Sequence, residues 1–238
     1  MSGDLQWSSV SLLVPMIGSD EGMTFSDVSS YARTITAHGG AKTDTAESIY
    51  EGSSGYFDGS DDYLTVGSTT GLSFPGDFTI EWWDYPNSVT GYRPIFECRG
   101  GIGFYPYIFG IWDGKLDFLY GASRLTTTTT TVSTGAWKHR AFTRQGSTIM
   151  AFSDGIKDAT TTSEGGTISP GANPIIGANL DGSYFSGWMY GLRFTKVCRY
   201  SANFTPPTAA FDAFGVPGSP PIIFTPFKQP FNPSIFNG

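Results

Sequence analysis

The sequence predicts an all-β, antiparallel sandwich over residues 1–212, followed by an extended arm over 213–238. Three observations lead there. Short β-type runs recur about every ten residues with turn signals between them, which is sandwich spacing. The chain is rich in Gly, Thr, Ser and aromatics (16%) and low in charge (15%), while Leu and Glu, the staples of helices, are sparse. No segment carries helical periodicity, and no internal repeat is evident.

Residues 11–17 are the first expected strand, and Ser19-Asp20-Glu21-Gly22 turns the chain. Strands follow at 34–37 and 54–57. Asp58-Gly59 and the acidic Ser60-Asp61-Asp62 form a turn into 63–66. The strongest strand is 77–85, bounded by Pro75-Gly76 and Pro86-Asn87. Strands at 94–97, 105–111, 116–120, 137–144, 148–153, 175–177 and 186–195 complete the set. Asp113-Gly114 and Asp154-Gly155 read as hairpin turns, because Asp and Gly tolerate positive φ. The six consecutive Thr at 126–131 read as an exposed strand, since Thr is a good strand former.

The net charge of −7 argues against a nucleic-acid surface, which needs a basic patch. Cys98 and Cys198 form no C-x-x-C motif and read as buried thiols, with a single bridge left open. The N-terminal stretch has no basic region, and its apolar run at 12–17 is too short for a signal or membrane segment. Synthesis in a cytoplasm without membrane insertion is the expectation.

Four segments in order then carry a resemblance: Y-F-D-G-S-D-D-Y-L (56–64), D-F-T-I-E-W-W-D-Y-P (77–86), W-K-H-R-A-F-T-R-Q-G (137–146) with F-S-D-G (152–155), and I-G-A-N-L-D-G-S-Y-F-S-G-W-M-Y-G-L-R-F (176–194). Together they resemble the concanavalin A-like lectin/glucanase superfamily, in its laminin-G-like branch. The stretch T-K-V-C-R-Y-S-A-N-F-T-P-P-T-A-A-F (195–211) resembles the tail that closes such domains in phage virion proteins. The resemblance implies a jelly-roll of two stacked sheets and a phage structural protein located in the virion, as a capsid decoration or a tail or fibre part. The partners it implies are other virion proteins and further copies of the chain, and lectin-like binding of cell-surface glycan is the alternative.

No catalytic residues are expected. Glycoside hydrolysis needs two carboxylates flanking one bond. The nearest approach, Glu81-Trp82-Trp83-Asp84, places its acids on opposite strand faces. One face of that strand, Phe78, Ile80 and Trp82, is assigned to the core. The other offers Glu81, Trp83 and Tyr85 as a candidate glycan platform, unless a loop or a neighbouring subunit covers it. Asp84 and Arg140 stand where the superfamily usually has aliphatic residues. They are expected near sheet ends or as a partner-facing charge pair, because a lone buried charge is costly.

No cofactor or metal is assigned. Many relatives bind calcium, and Asp20, Glu21 and Asp27 lie where such ligands occur, but Tyr190 and Gly191 replace two acids of the usual closing strand. Asp58, Asp61 and Asp62 read as a solvated turn. His139 reads as structural, and His38 lacks a second ligand nearby in sequence. The loop Gly100-Gly101-Ile102-Gly103, among Tyr92, Tyr105 and Tyr107, suits contact with a partner or ligand, the alternative being a flexible hairpin connection.

The arm contains five Phe, six Pro and one charge, Lys228. Proline fixes φ and removes donors, so the arm is neither helix nor central strand. Ordering a residue costs about 1–2 kcal/mol of backbone entropy, and burying a Phe returns roughly 1.5–3 kcal/mol. Five Phe cannot hold 26 residues alone. The arm is therefore expected to lie on a partner through Phe214, Ile222, Ile223, Phe224, Phe227, Phe231, Ile235 and Phe236, or else to pack across its own domain.

Overall fold

The computed structural model describes residues 4–101, 106–121 and 123–211. The arm at 213–238, with its eight candidate contact residues, lies outside the described residues, as do Ile102, Gly103 and Tyr105 of the Gly-rich loop.

The described chain contains fifteen strands and one 3-10 turn, Trp7–Ser9, with no α-helix among the described residues. The strands are β1 Val10–Val14, β2 Ile35–His38, β3 Lys42–Asp44, β4 Ser54–Asp58, β5 Tyr63–Val66, β6 Phe78–Pro86, β7 Tyr92–Glu97 and β8 Ile108–Trp112. They continue as β9 Lys115–Tyr120, β10 Ser123–Thr131, β11 Lys138–Gln145, β12 Thr148–Ser153, β13 Ile156–Ser163, β14 Ile175–Ile176 and β15 Ser186–Thr195. An eight-stranded sheet runs β13-β12-β11-β6-β15-β4-β3, with β1 also paired to β15. A seven-stranded sheet runs β10-β9-β8-β7-β14-β5-β2. Every pairing is antiparallel, as expected.

The core lies between the sheets. Phe78, Ile80 and Trp82 of β6 are fully buried, as their strand phase requires, and meet Phe96, Phe109 and Phe118 of the facing sheet. The rings interlock: Trp82 lies 5.3 Å from Phe109, Phe118 lies 5.3 Å from Phe142, and Phe96 stacks on Phe109 at 5.3 Å. Such pairs add to the area they bury. The motif arginine Arg144 is buried and donates to the carbonyls of Phe74, Gly76 and Gly166, so one side chain ties two loops to β11.

Both expected two-residue hairpins form. Asp113 and Gly114 have φ of 44° and 75°, and Asp154 and Gly155 have 50° and 73°. Positive φ at both central residues matches the twist of the flanking strands. Pro15 follows the end of β1 at Val14, three residues short of the expected limit, because proline has no N–H for the ladder. Two strands have no apolar signature in the sequence. β3 is Lys-Thr-Asp, and β13, Ile-Lys-Asp-Ala-Thr-Thr-Thr-Ser, is an edge strand of mostly polar residues with half of them exposed.

The threonine run forms a strand, but the expectation of a wholly exposed one is corrected. Thr126 and Thr128 are buried. Thr128 Oγ1 accepts the Leu116 N–H at 3.0 Å, and Thr127 Oγ1 donates to Asp117 at 2.6 Å. Asp158 of β13 accepts from the N–H groups of Thr129 and Thr130, which links the edges of the two sheets. Burial would raise the Asp158 carboxyl, but the Thr160, Thr130 and Thr129 N–H groups hold it well below the usual range.

Asp84 and Arg140 pair with each other, but inside the protein rather than facing a partner. Their side chains are 0% and 2% exposed, with Arg140 Nε 3.2 Å from each Asp84 oxygen. Trp82 Nε1 donates to Asp84 at 2.8 Å, and Arg140 also reaches Ser153 Oγ. Both thiols are free: Cys98 is buried and pushed up to about 12 by that burial, whereas Cys198 is only half-buried. Removing one member of a buried ion pair strands the other. Asp84→Ala is therefore expected to lower the unfolding free energy by about 3–5 kcal/mol, while the double substitution Asp84→Leu with Arg140→Met is expected to cost only about 1–3 kcal/mol, for the Trp82 Nε1 left without its acceptor. Urea unfolding of the two variants checks this.

Candidate functional site

Antiparallel registry brings separated segments together on the outer face of the eight-stranded sheet. Across β11, β6 and β15 the outward rows are Ala141–Glu81–Arg193 and His139–Trp83–Tyr190. A third row continues onto β4 as Tyr85–Trp188–Tyr56, with Trp137 next to Tyr85 at the entrance of β11. The first two rows are covered. The third is not.

The cover is a strap formed by the segment after β15, residues 196–211. Arg199 N donates to Thr79 Oγ1 at 2.8 Å, and Thr143 Oγ1 donates to the Tyr200 carbonyl at 2.9 Å. Phe204 N donates to the Gly155 carbonyl at 2.9 Å, a bond made by backbone alone. Tyr50 OH donates to the Pro207 carbonyl at 2.7 Å, so the loop before β4 joins the cover. Tyr200 stacks on Phe204 at 3.6 Å, and both pack on Ala141, Met150 and Phe152. Gly155 and Gly191 permit this approach. A Cβ on Gly155 would lie 1.9 Å from the Phe204 carbonyl oxygen, and one on Gly191 would lie 2.9 Å from the Phe211 ring.

Beneath the strap, Glu81 is 0% exposed and bound from several directions. Arg193 reaches Oε1 from Nε at 3.0 Å and Nη2 at 2.8 Å. His139 Nε2 lies 3.1 Å from Oε2, and Tyr200 OH donates to Oε2 at 2.9 Å. Asp4, from the N-terminal segment, bridges Arg193 at 3.1 Å and Arg199 at 2.6 Å. Phe211 lies over the Arg193 guanidinium at 3.8 Å. Burial alone would raise the Glu81 carboxyl. The charge of Arg193 and the contact with His139 outweigh it and hold the group at about 2.

The expected open platform of Glu81, Trp83 and Tyr85 is therefore corrected. Glu81 is enclosed by ion pairs, and Trp83 is 6% exposed, in contact with Tyr50 and beside its cross-strand neighbour His139. Only Tyr85 remains part-exposed. It belongs instead to a row of four part-exposed rings, Trp137, Tyr85, Trp188 and Tyr56, with successive centroids 5.8, 5.5 and 5.0 Å apart. Sequence reasoning missed Trp137, Trp188 and Tyr56. Each shows an outward strand phase beside buried neighbours, but nothing in the sequence says that their strands are adjacent.

The calcium-region carboxylates do not fit a metal site. Asp27 is buried against Arg33 at 2.6 Å, Glu21 pairs with Lys42 at 2.5 Å, and Asp20 accepts from Thr45. Tyr190, which stands in place of an acid, donates to Glu51 at 3.2 Å. Among the described residues, Asp58, Asp61 and Asp62 are three carboxylates close enough to share an ion. Asp62 is buried rather than solvated as expected, and accepts the N–H groups of Gly40 and Asp58. His38 stacks on Tyr63 at 4.4 Å.

Glu81→Gln leaves Arg193 with Asp4 as its one buried counter-charge and is expected to cost about 3 kcal/mol in urea unfolding. The native Glu81 pKa lies below its unfolded value, so its stabilisation is present above about pH 4.5 and is lost as pH falls towards 2. Acid unfolding of the wild type is expected to steepen in that window, and to do so less in Glu81→Gln.

The model for the concanavalin A-like lectin/glucanases superfamily matches residues 58–202. A search of curated protein sequences finds no match. Domain 4 of AbnA, a GH43 extracellular arabinanase from Geobacillus stearothermophilus solved in complex with arabinotriose, is similar at a TM-score of 0.61 and 16% identity, covering 80% of this chain and 93% of that chain. Botulinum neurotoxin type C, which interacts with two ganglioside molecules, is similar at 0.62 and 13%, covering 82% of this chain and 49% of that one. The binding domain of botulinum neurotoxin DC in complex with SialylT is similar at 0.61 and 14%, again covering 82% and 49%. This chain thus spans about half the length of the neurotoxin chains it matches. At these identities the likeness is one of fold, a lectin-like jelly-roll. With the family model spanning more than half of its residues, the chain belongs to the concanavalin A-like lectin/glucanases superfamily.

Proposed function

We propose that this chain is a non-catalytic, lectin-like carbohydrate-binding domain. The observation that carries the reading is the part-exposed row of Trp137, Tyr85, Trp188 and Tyr56 beside the strap-covered rows of the sheet face. Aromatic faces suit the C–H faces of sugar rings, and a rigid strand scaffold holds them in place. The arabinanase domain, 93% covered and bound to arabinotriose, supports the ligand class. The non-catalytic part rests on the carboxylates. Glu81 is paired with Arg193 and Asp84 with Arg140, on opposite faces of β6, so they do not flank one bond.

A second reading concerns where the domain works. The element 199–207, which resembles the closing tail of phage virion proteins, lies within the strap, and the strap brings residue 211 to the outer face. From there the Pro- and Phe-rich residues 213–238 are proposed to dock on neighbouring virion subunits.

Titration of the intact protein against an oligosaccharide panel is expected to show binding, with Trp188→Ala weakening it about tenfold. No binding at millimolar sugar would overturn the carbohydrate reading. Truncation after Phe211 is expected to leave a folded domain that no longer enters particles. Normal incorporation of that truncated chain would remove the virion docking role from 213–238.

A further inference from the structure

The surroundings of the aromatic row restrict what it can hold. It has one ring on or beside each of four adjacent strands, so it crosses them and spans about 14 Å at ~4.8 Å per strand. The indole nitrogens of Trp137 and Trp188 are buried without hydrogen-bond partners, although both rings are part-exposed. What each indole shows to solvent is therefore carbon. Neighbouring rings are tilted by 62°, 89° and 48°, so the row is corrugated rather than flat. A single chain can follow such a surface, whereas the flat face of a packed polysaccharide cannot.

Charge narrows the choice further. The row itself contains no charged side chain. At one end Lys42 lies 5.7 Å from the Tyr56 ring, but its ammonium is held by Glu21 at 2.5 Å, with Asp20 and Asp44 also acting on it. At the other end Lys138 follows Trp137 in sequence but has the opposite strand phase, in register with Asp84, and its ammonium pairs with Asp154 at 2.5 Å. Both cations are paired at the surface, Lys138 on the opposite strand phase from the row, and the chain as a whole carries −7. A carboxylate-bearing sugar would find the one cation beside the row, Lys42, already paired and an unfavourable net field.

Building on the carbohydrate-binding reading, we propose that the row binds a single, neutral, unbranched oligosaccharide laid across the strands, and that it discriminates against sialylated and uronate-containing glycans. Stacking supplies the affinity, and the pairing of Lys42 with Glu21, together with the net charge of −7, supplies the selectivity.

Calorimetric titration of the full chain tests this with arabinotriose and xylotetraose as neutral probes, and sialyllactose and a galacturonate trimer as acidic ones. The neutral probes are expected to bind at least about tenfold more tightly than the acidic ones, with little dependence on salt. Trp188→Ala and Tyr56→Ala are each expected to weaken neutral binding several-fold, while Trp112→Ala, on the other sheet, leaves it unchanged. Unfolding midpoints confirm that the variants are folded, and Tyr56, at the end of the row, gives the milder change. Preference for an acidic probe, with the same loss in Trp188→Ala, would overturn the neutral assignment and leave the carbohydrate reading standing. Binding of no glycan at all would overturn both. A dimer that dissociates in Trp188→Ala, without sugar binding, would assign the row to a second copy instead.

Discussion

A buried carboxylate organises the outer face of the eight-stranded sheet. Glu81 would be strongly destabilised by its burial if it stood alone, since desolvating an ion costs several kcal/mol. Arg193, His139 and Tyr200 surround it, and Arg199 and Asp4 extend the network. These groups come from β15, β11, the segment after β15 and the N-terminal segment. One charge thus draws both ends of the domain onto the middle of the sheet. The strap closes over it with backbone bonds, including Phe204 N to the Gly155 carbonyl at 2.9 Å.

That closure divides the face. Where the strap and Tyr50 lie, aromatic side chains such as Trp83 become core. Beyond the strap, the next row along the same strands stays part-exposed and presents Trp137, Tyr85, Trp188 and Tyr56. Outward aromatics on one sheet therefore serve two purposes, and position relative to the strap decides which. The candidate ligand face is what the cover leaves open, and its rigidity follows from the packed rows beside it.

Much of the fold was legible in the sequence because alternation and turn chemistry are local. The phase of Phe78, Ile80 and Trp82 gave the core face of β6, and Asp154-Gly155 gave a hairpin. β3 and β13 were not legible, since Lys-Thr-Asp and a polar edge strand carry no apolar pattern. The candidate site was legible only in part. Tyr85 was picked out, but with Glu81 and Trp83, because strand phase tells which face a residue takes and not what covers that face. The row depends on β11, β6, β15 and β4 lying side by side, a long-range pairing that no local signal encodes. The charged pair Asp84–Arg140 was recognised as unusual for its positions, and its internal placement came only with the register of β6 and β11.

Hydrogen exchange at the strap amides offers the sharpest check that Glu81 holds the cover in place. Arg199 N and Phe204 N donate to Thr79 Oγ1 and the Gly155 carbonyl. If the clamp is as described, these two amides exchange about as slowly as those of β15 in the wild type, and much faster in Glu81→Gln, while the β15 amides stay protected. Wild-type exchange at the rate of an open loop, or protection unchanged by Glu81→Gln, would contradict it.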